Sequence, residues 1–399
     1  MKKSNIAYQS LALAVALGCL PTSSFAEIQL NGFASIRGTS VSADGGSEPF
    51  PGYEEGNFSF KSESLFAIQA RADLGEGLSA TVQLYADGQN DFDVEARWAY
   101  IAYELNEHHR VSAGLLANPL FRQSEYEKVG YAHNFARLPK AVYIGFDFST
   151  VEGIALDSQF DLNGMTANTK LLYANWEGET FFAVTNAFLP LAFENLMAAN
   201  GSLTGDWWSF SGGFMTVDIA AETLDQQTTF LLAAPGIAAA QAMGATTQQV
   251  DDFKAAIQSE GKTGEYMFAA FNIDYNNWLF DVEYVDYGIQ DSVNAQNKAW
   301  YAAIGRRFDS VTLTVHTEDY SRDQQDYAFL SGISNPVLLA TGRTLKDAFS
   351  QREFDGAGID LRWDFHPSAA LKVDYFQGTD TRPTVGDYRI ASVGVDLTF

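Results

Sequence analysis

The chain closes on "SVGVDLTF" (residues 392–399), and the fold turns on how that segment is read. Back from Phe399, the residues Leu397, Val395, Val393 and Ala391 are apolar, whereas Thr398, Asp396, Gly394 and Ser392 are small or polar. Successive side chains on a strand point to opposite faces. The segment therefore predicts a strand with one face suited to an apolar medium and the other to water. A strand of a soluble sandwich alternates in the same way, so the rest of the chain has to decide.

The same pattern recurs from end to end. In "EIQLNGFASIRG" (27–38), Ile28, Leu30, Ala34 and Ile36 alternate with Gln29, Asn31, Ser35 and Arg37. "LFAIQARADL" (65–74) and "LSATVQLYAD" (78–87) flank the turn "GEG", and "VEARWAYIAYEL" (94–105) leads through "NEH" into "RVSAGLLA" (110–117). Apolar-faced segments joined by short turns read as hairpins. Further strands are expected near 152–162, 165–175, 179–188, 204–219, 264–275, 278–287, 297–309, 311–320, 353–365, 369–379 and 386–399, which makes 16. The stretch "LPLAFENLMAANGSL" (189–203) is long for a turn, and 88–93 and 176–178 are short for outer loops, so 14 or 18 strands stay open.

Turn sizes alternate. "NG" (163–164), "NN" (276–277), Ser310 and "HPS" (366–368) are tight, whereas 39–63, 118–151, 220–263 and 321–352 are long. Short turns at one rim and long loops at the other are the layout of an outer-membrane barrel. An even count also brings the last strand beside the first, antiparallel and without an open edge. The expected fold is thus all-β: a closed antiparallel transmembrane barrel over 27–399. A propeller should show blade-length self-similarity, and the chain has none. Trp98, Trp278, Tyr284, Trp300 and Trp363 fall on the apolar parity, as interfacial girdles require.

Compartment comes from the first 26 residues. Lys2 and Lys3 precede "LALAVALGCL", and "SSFA" supplies small residues before position 27, the layout of a signal peptide cleaved after Ala26. A lipoprotein signal at Cys19 competes, but Ala16 and Leu17 stand in the wrong order for it. Cleavage removes the sole cysteine, so no disulfide supports the exported chain. It also removes two of the 25 Lys+Arg and none of the 50 Asp+Glu, leaving a net charge of −27. That excludes non-specific nucleic-acid binding, which needs a basic footprint.

At "RWAYIAYEL", "RVSAGLLANPLFRQSEYEKVGYAHNFARLPKAVY" and "LRWDFHPSAALKVDYFQ" the chain resembles the Gram-negative outer-membrane porins, and the likeness spans the mature length. The resemblance implies 16-stranded barrels associated as trimers, in contact with outer-membrane lipids and lipopolysaccharide. It implies a third outer loop, here 118–151, folded inward as a constriction. It also implies a terminal aromatic, Phe399, read by the barrel-assembly machinery. The acidic "PEFGG"-like patch of many general porins is missing from this loop. Instead Glu125, Glu127 and Asp147 stand beside Arg122, Lys128, Arg137 and Lys140, so the family's ion preference does not carry over.

Parity alone puts Arg37, Arg71, Arg97 and Arg362 on the water face, on strands 1, 2, 4 and 14 of the ring. Asp73, Glu95, Asp360, Asp374 and Asp396 join them. Cations on one wall facing carboxylates on another would set a transverse field across a pore; a lattice of wall salt bridges is the plainer reading. Catalysis lacks a motif. His108, His109 and His366 lie at turns, His133 in the constriction loop and His316 on the water face, with no "GxSxG" or "HExxH". No cofactor or metal is expected. The one helix-like segment is 237–258, where Val250, Phe253, Ala256 and Ile257 recur at helical spacing. The functional expectation is passive diffusion of small hydrophilic solutes and ions. The alternative is a substrate-selective channel with a lumen binding track for a sugar or anion.

Overall fold

The computed structural model describes residues 27–399 apart from 51, 54–55, 144–147, 183–184, 186, 295, 324–325 and 350–351. The expected signal segment and cleavage site (1–26), and Asp147, lie outside the described residues. Sixteen antiparallel strands form one closed sheet. The first eight are β1 Glu27–Ala43, β2 Leu65–Gly75, β3 Leu78–Asp87, β4 Glu95–Glu104, β5 His109–Ala117, β6 Thr150–Leu162, β7 Met165–Phe182 and β8 Ala187–Thr204. The second eight are β9 Trp208–Ala220, β10 Thr263–Tyr275, β11 Trp278–Ile289, β12 Asn297–Phe308, β13 Val311–Arg322, β14 Phe354–His366, β15 Ala369–Asp380 and β16 Gly386–Thr398. A two-residue segment, Phe58–Ser59, pairs only with Ser40 and Thr39 of β1.

Closure is made by β1. It pairs with β16 from Phe33↔Thr398 to Ala43↔Tyr388, and with β2 from Glu27↔Asp73 to Ser35↔Leu65. Each strand has a neighbour on both sides, so the backbone groups of the wall are bonded within the sheet. A hydrocarbon solvent demands that. The tight rim follows from its turn residues: Asn163 (φ 51°) and Gly164 (φ 86°) both take the left-handed conformation of a two-residue hairpin turn. Outward residues such as Ile68, Leu84, Leu171 and Ile359 are exposed and apolar, forming the lipid-facing band.

Phe399 completes the seam. Its N–H donates to the Gly32 carbonyl (2.9 Å), and its carbonyl accepts from the Gly32 N–H (2.8 Å). Its ring lies over Gly32, where a Cβ would come within 2.4 Å of the ring carbons. Deleting Phe399 should lower the heat-modifiable barrel recovered from outer membranes while leaving export intact; unchanged recovery would refute it.

Two irregularities correct the sequence reading. Residues 189–203 are strand, the strand before them ends at Phe182, and the tight turn is 205–207. The cause is a bulge opposite Ala174–Trp176, with Asn195 at φ 51°. It breaks the two-residue period, so that Phe193 and Leu196 are both buried. Likewise 176–178 belongs to β7 and not to a loop. A second bulge places Gln83 opposite Trp98 but Leu84 opposite Ala96, with Arg97 as the extra residue. Trp98 therefore falls into the inward register of Gln83 and is not a girdle residue. Trp278, Trp300 and Trp363 are exposed on the outward face, and Tyr284 shares the face of its partner Trp300.

The helix expected over 237–258 is two helices, Ala234–Ala242 and Thr247–Ile257, separated at Met243–Thr246. Thr246 caps the second through a reciprocal box with Gln249. Val250, Phe253 and Ile257 are buried as the spacing predicts, in a cluster with Leu338 and Leu345 of another helix, Pro336–Phe349. These outer-loop helices thus pack on one another above the barrel.

Candidate functional site: the inward loop and its wall

The segment between β5 and β6 enters the lumen, and wall side chains hold it there. Asn118 starts it: its N–H donates to the Ser149 carbonyl (2.9 Å) and its Nδ2 to the Phe148 carbonyl (3.1 Å). Phe121, Phe135 and Tyr143 pack among the inward aromatics Tyr266 and Tyr301, a core built inside the barrel.

Charged groups make the rest of the seam. The Arg122 guanidinium pairs with Asp281, its backbone N–H donates to Glu283 (2.9 Å), and the Tyr143 hydroxyl donates to the other oxygen of Glu283 (2.5 Å). Arg137 bridges Glu63 (3.2 Å) and Asp374 (2.5 Å). The N–H groups of Ala136 and Ala141 donate to Asp360 (2.8 Å) and Glu318 (3.2 Å). Arg362 donates to the carbonyls of Tyr131 (2.8 Å) and His133 (2.7 Å), and pairs with Asp364 (2.8 Å). Lys372 donates to the carbonyls of Gly130 (2.6 Å) and Phe135 (2.8 Å) and pairs with Asp396 (3.0 Å). Asp396 also takes Arg37 (3.2 Å). Buried charges persist only when paired and hydrogen-bonded; here most of these groups also hold the loop, whereas Arg37–Asp396 joins two wall strands.

The expected wall group is therefore dispersed in role. Arg37 and Arg362 are tied to carboxylates of the same wall, not aimed at carboxylates across the pore. Arg97 is buried with its guanidinium 5.3 Å from the Tyr85 ring centre, a cation–π contact. Arg71 is exposed, in register with Gln29 and Thr81. Asp73 and Glu95 are exposed as well, whereas Asp360, Asp374 and Asp396 are buried. In the loop, Glu125 pairs with Lys170 and Glu127 with Lys128 (2.9 Å). Lys140 lies 5.6 Å from the Tyr53 ring centre. Lys372, Asp281 and Glu283 belong to the site although the sequence reading did not single them out. Their parity, opposite to Val373 and Tyr284, was the signal for them. Glu63 sits in an irregular loop and carried none.

Among the spaces beside the loop, two are lined largely by polar and charged residues. The larger, about 680 Å³, opens toward the short-turn rim and is lined by Glu107, His109, Arg122, Glu125, Lys170 and Ser202 among others. The smaller, about 140 Å³, lies among Arg37, Glu63, Glu127, Lys128, Arg137 and Lys140. Among the described residues no three or more His, Cys, Asp or Glu converge as a metal site. His316 meets Asp360 (3.0 Å) inside the wall.

Burial shapes the loop's titration. It pushes His133 down to about 3, with the Lys372 charge acting the same way, so His133 stays neutral and donates Nε2–H to the carbonyls of Tyr126 and Glu127. Burial raises the Glu63 carboxyl, but Arg137 and Arg37 outweigh it and hold the group at about 2. Lys140 is lowered to about 8 by burial, partly offset by Glu63. The signs follow from linkage. A folded His133 at about 3 loses stability as pH falls below the ordinary 6.5, and Glu63 adds to that loss as pH falls from 4.5 through about 2. Lys140 discharges above pH about 8, removing a cation from the narrow side of the loop. Raising pH from 7 to 9 should therefore shift the reversal potential toward cations, and Lys140→Met should abolish most of that shift. An equal shift in the variant would refute it.

No protein-family model and no curated protein matches this chain by sequence. Solved structures do match its shape. The outer-membrane channel DcaP of Acinetobacter baumannii is 11% identical over 95% of this chain and 99% of that chain, with a TM-score of 0.57. An anion-selective porin from Comamonas acidovorans is 10% identical over 94% and 100%, with a TM-score of 0.56. OmpF of Salmonella typhi is 12% identical over 94% and 98%, at 0.55. Near-complete coverage in both directions, joined to the closed sixteen-strand sheet and the inward loop, gives this chain the fold of the outer-membrane porins.

Proposed function

We propose that this chain, mature from Glu27, is an outer-membrane porin. It forms a water-filled channel for passive diffusion of small hydrophilic solutes and ions, works as a homotrimer and carries out no chemical step. The observation that carries the reading is the closed barrel with an apolar outer face and a loop sewn across its lumen. A wall of that kind is what hydrocarbon requires, and a constriction has meaning only where something passes. Liposome swelling tests it: vesicles holding the refolded mature chain should swell in isotonic arabinose faster than in a trisaccharide. Equal rates, or none above empty vesicles, would overturn the reading.

A second reading, a substrate-selective channel, is favoured by the chamber of about 680 Å³. Ser124, Ser158, Gln159, Asn168, Asn200 and Ser202 give it many hydroxyl and amide groups suited to a sugar. A saturable block of conductance by one sugar would select it over general diffusion.

A further inference from the structure

The inward faces of β8 and β9 change character along their length. Near the short-turn rim they carry Asn200, Ser202, Ser209 and Ser211. Toward the long-loop rim the same faces carry Leu191 and Phe193, then Met215, Val217 and Ile219. Tyr266 of β10 and Tyr287 of β11 continue the apolar wall. Water needs no such wall. Part of it serves the inward loop: Phe148 packs on Phe193 (4.8 Å between ring centres) and on Trp176 (6.0 Å). Yet a cavity of about 260 Å³ remains between that loop, the wall and the helix Glu222–Thr228, which contributes Leu224.

We propose that this outer-vestibule cavity binds a neutral, single-ring aromatic solute. Size supports it, because a dry apolar cavity of about 150 Å³ already holds benzene, and this one leaves room for a substituent. The lining supports the class: among the described residues no Lys or Arg contributes, so nothing there would pair with an anionic ring, and the one charged residue, Glu265, lies on the opposite parity to the buried Tyr266. Ser259 and Asn294, hydrogen-bonded to each other (2.8 Å), are the polar groups a ring hydroxyl would meet. An apolar site with a few convergent polar groups is the usual form of a small-molecule site. The inference goes beyond the diffusion reading, since it gives the outer mouth a preference that a purely hydrophilic pore lacks.

The test is calorimetric titration of the refolded mature chain with phenol, glucose serving as the polar control. Leu224→Trp fills the cavity from the loop helix, and Met215→Trp fills it from the wall if the first variant does not refold. Phenol should show one saturable site, weakened about tenfold or more by filling the space, and glucose none there. Heats that rise linearly with phenol in wild type and variant alike would mean partition into detergent only and would overturn the proposal. So would equal affinity in wild type and variant. Conductance recorded on the same preparations separates this outcome from failure of the channel reading, because a filled cavity leaves the ion path beside Arg37 and Arg137 intact.

Discussion

Replacing Asp396 with alanine is expected to cost the barrel about 3–5 kcal/mol, the usual penalty for stripping the partner from a buried charge. Asp396 has no solvent exposure and holds two cations, Arg37 at 3.2 Å and Lys372 at 3.0 Å. Its loss leaves both charges buried at the seam where β16 meets β1. The residue thus belongs to closure as much as to the lumen. Asp396→Asn keeps an acceptor and should cost less. Adding Arg37→Met to Asp396→Ala should recover part of the loss, since one stranded charge goes with it. Urea unfolding in lipid vesicles reads all three. If the single and double variants are equally unstable, the charges at this seam are not coupled.

The second large effect is functional. Among the described residues, Arg137 is the one loop cation that bridges two separate carboxylates, Glu63 of the first outer connection and Asp374 of β15. Arg137→Ala leaves both acids beside each other with Arg37 as a remaining cation that acts on both. The seam should loosen by an amount of the same order, about 3–5 kcal/mol for one broken buried pair. The expected result is faster proteolytic nicking within 118–149 and a larger, noisier single-channel conductance, with the barrel itself still heat-modifiable. Arg137→Lys restores a charge but not the fork that reaches two acceptors, so it should fall between. Wild-type conductance in Arg137→Ala would mean that the other ties of the loop hold it without Arg137.

The fold was legible because hydrocarbon imposes a strict rule on a spanning strand, and the rule survives in the order of residues. Leu171, Tyr173 and Met197 look outward because neighbours two positions apart share a face. Reading failed where one inserted residue resets that rule. The bulges at Arg97 and around Asn195 turned a supposed girdle tryptophan inward and made a strand resemble a loop. The site was legible only by parts. Parity found Arg37 and Asp396, but pairing them needs the β1–β16 register, in which Arg37 faces Gly394 and Ser35 faces Asp396. Glu63 and Arg137 lie 74 residues apart in irregular segments, where no period relates them. The inward path of 118–149 came from resemblance, not from spacing.

A single-channel recording in a planar bilayer under a tenfold KCl gradient tests the central claim most directly. Discrete conductance steps are expected, with a reversal potential of modest cation sign that shrinks as total salt rises. The surplus carboxylates of a chain of net charge −27 are screened within about 8 Å at physiological salt, whereas the bases of the loop act at short range through little water. A heat-modifiable barrel that leaves the bilayer silent would contradict it.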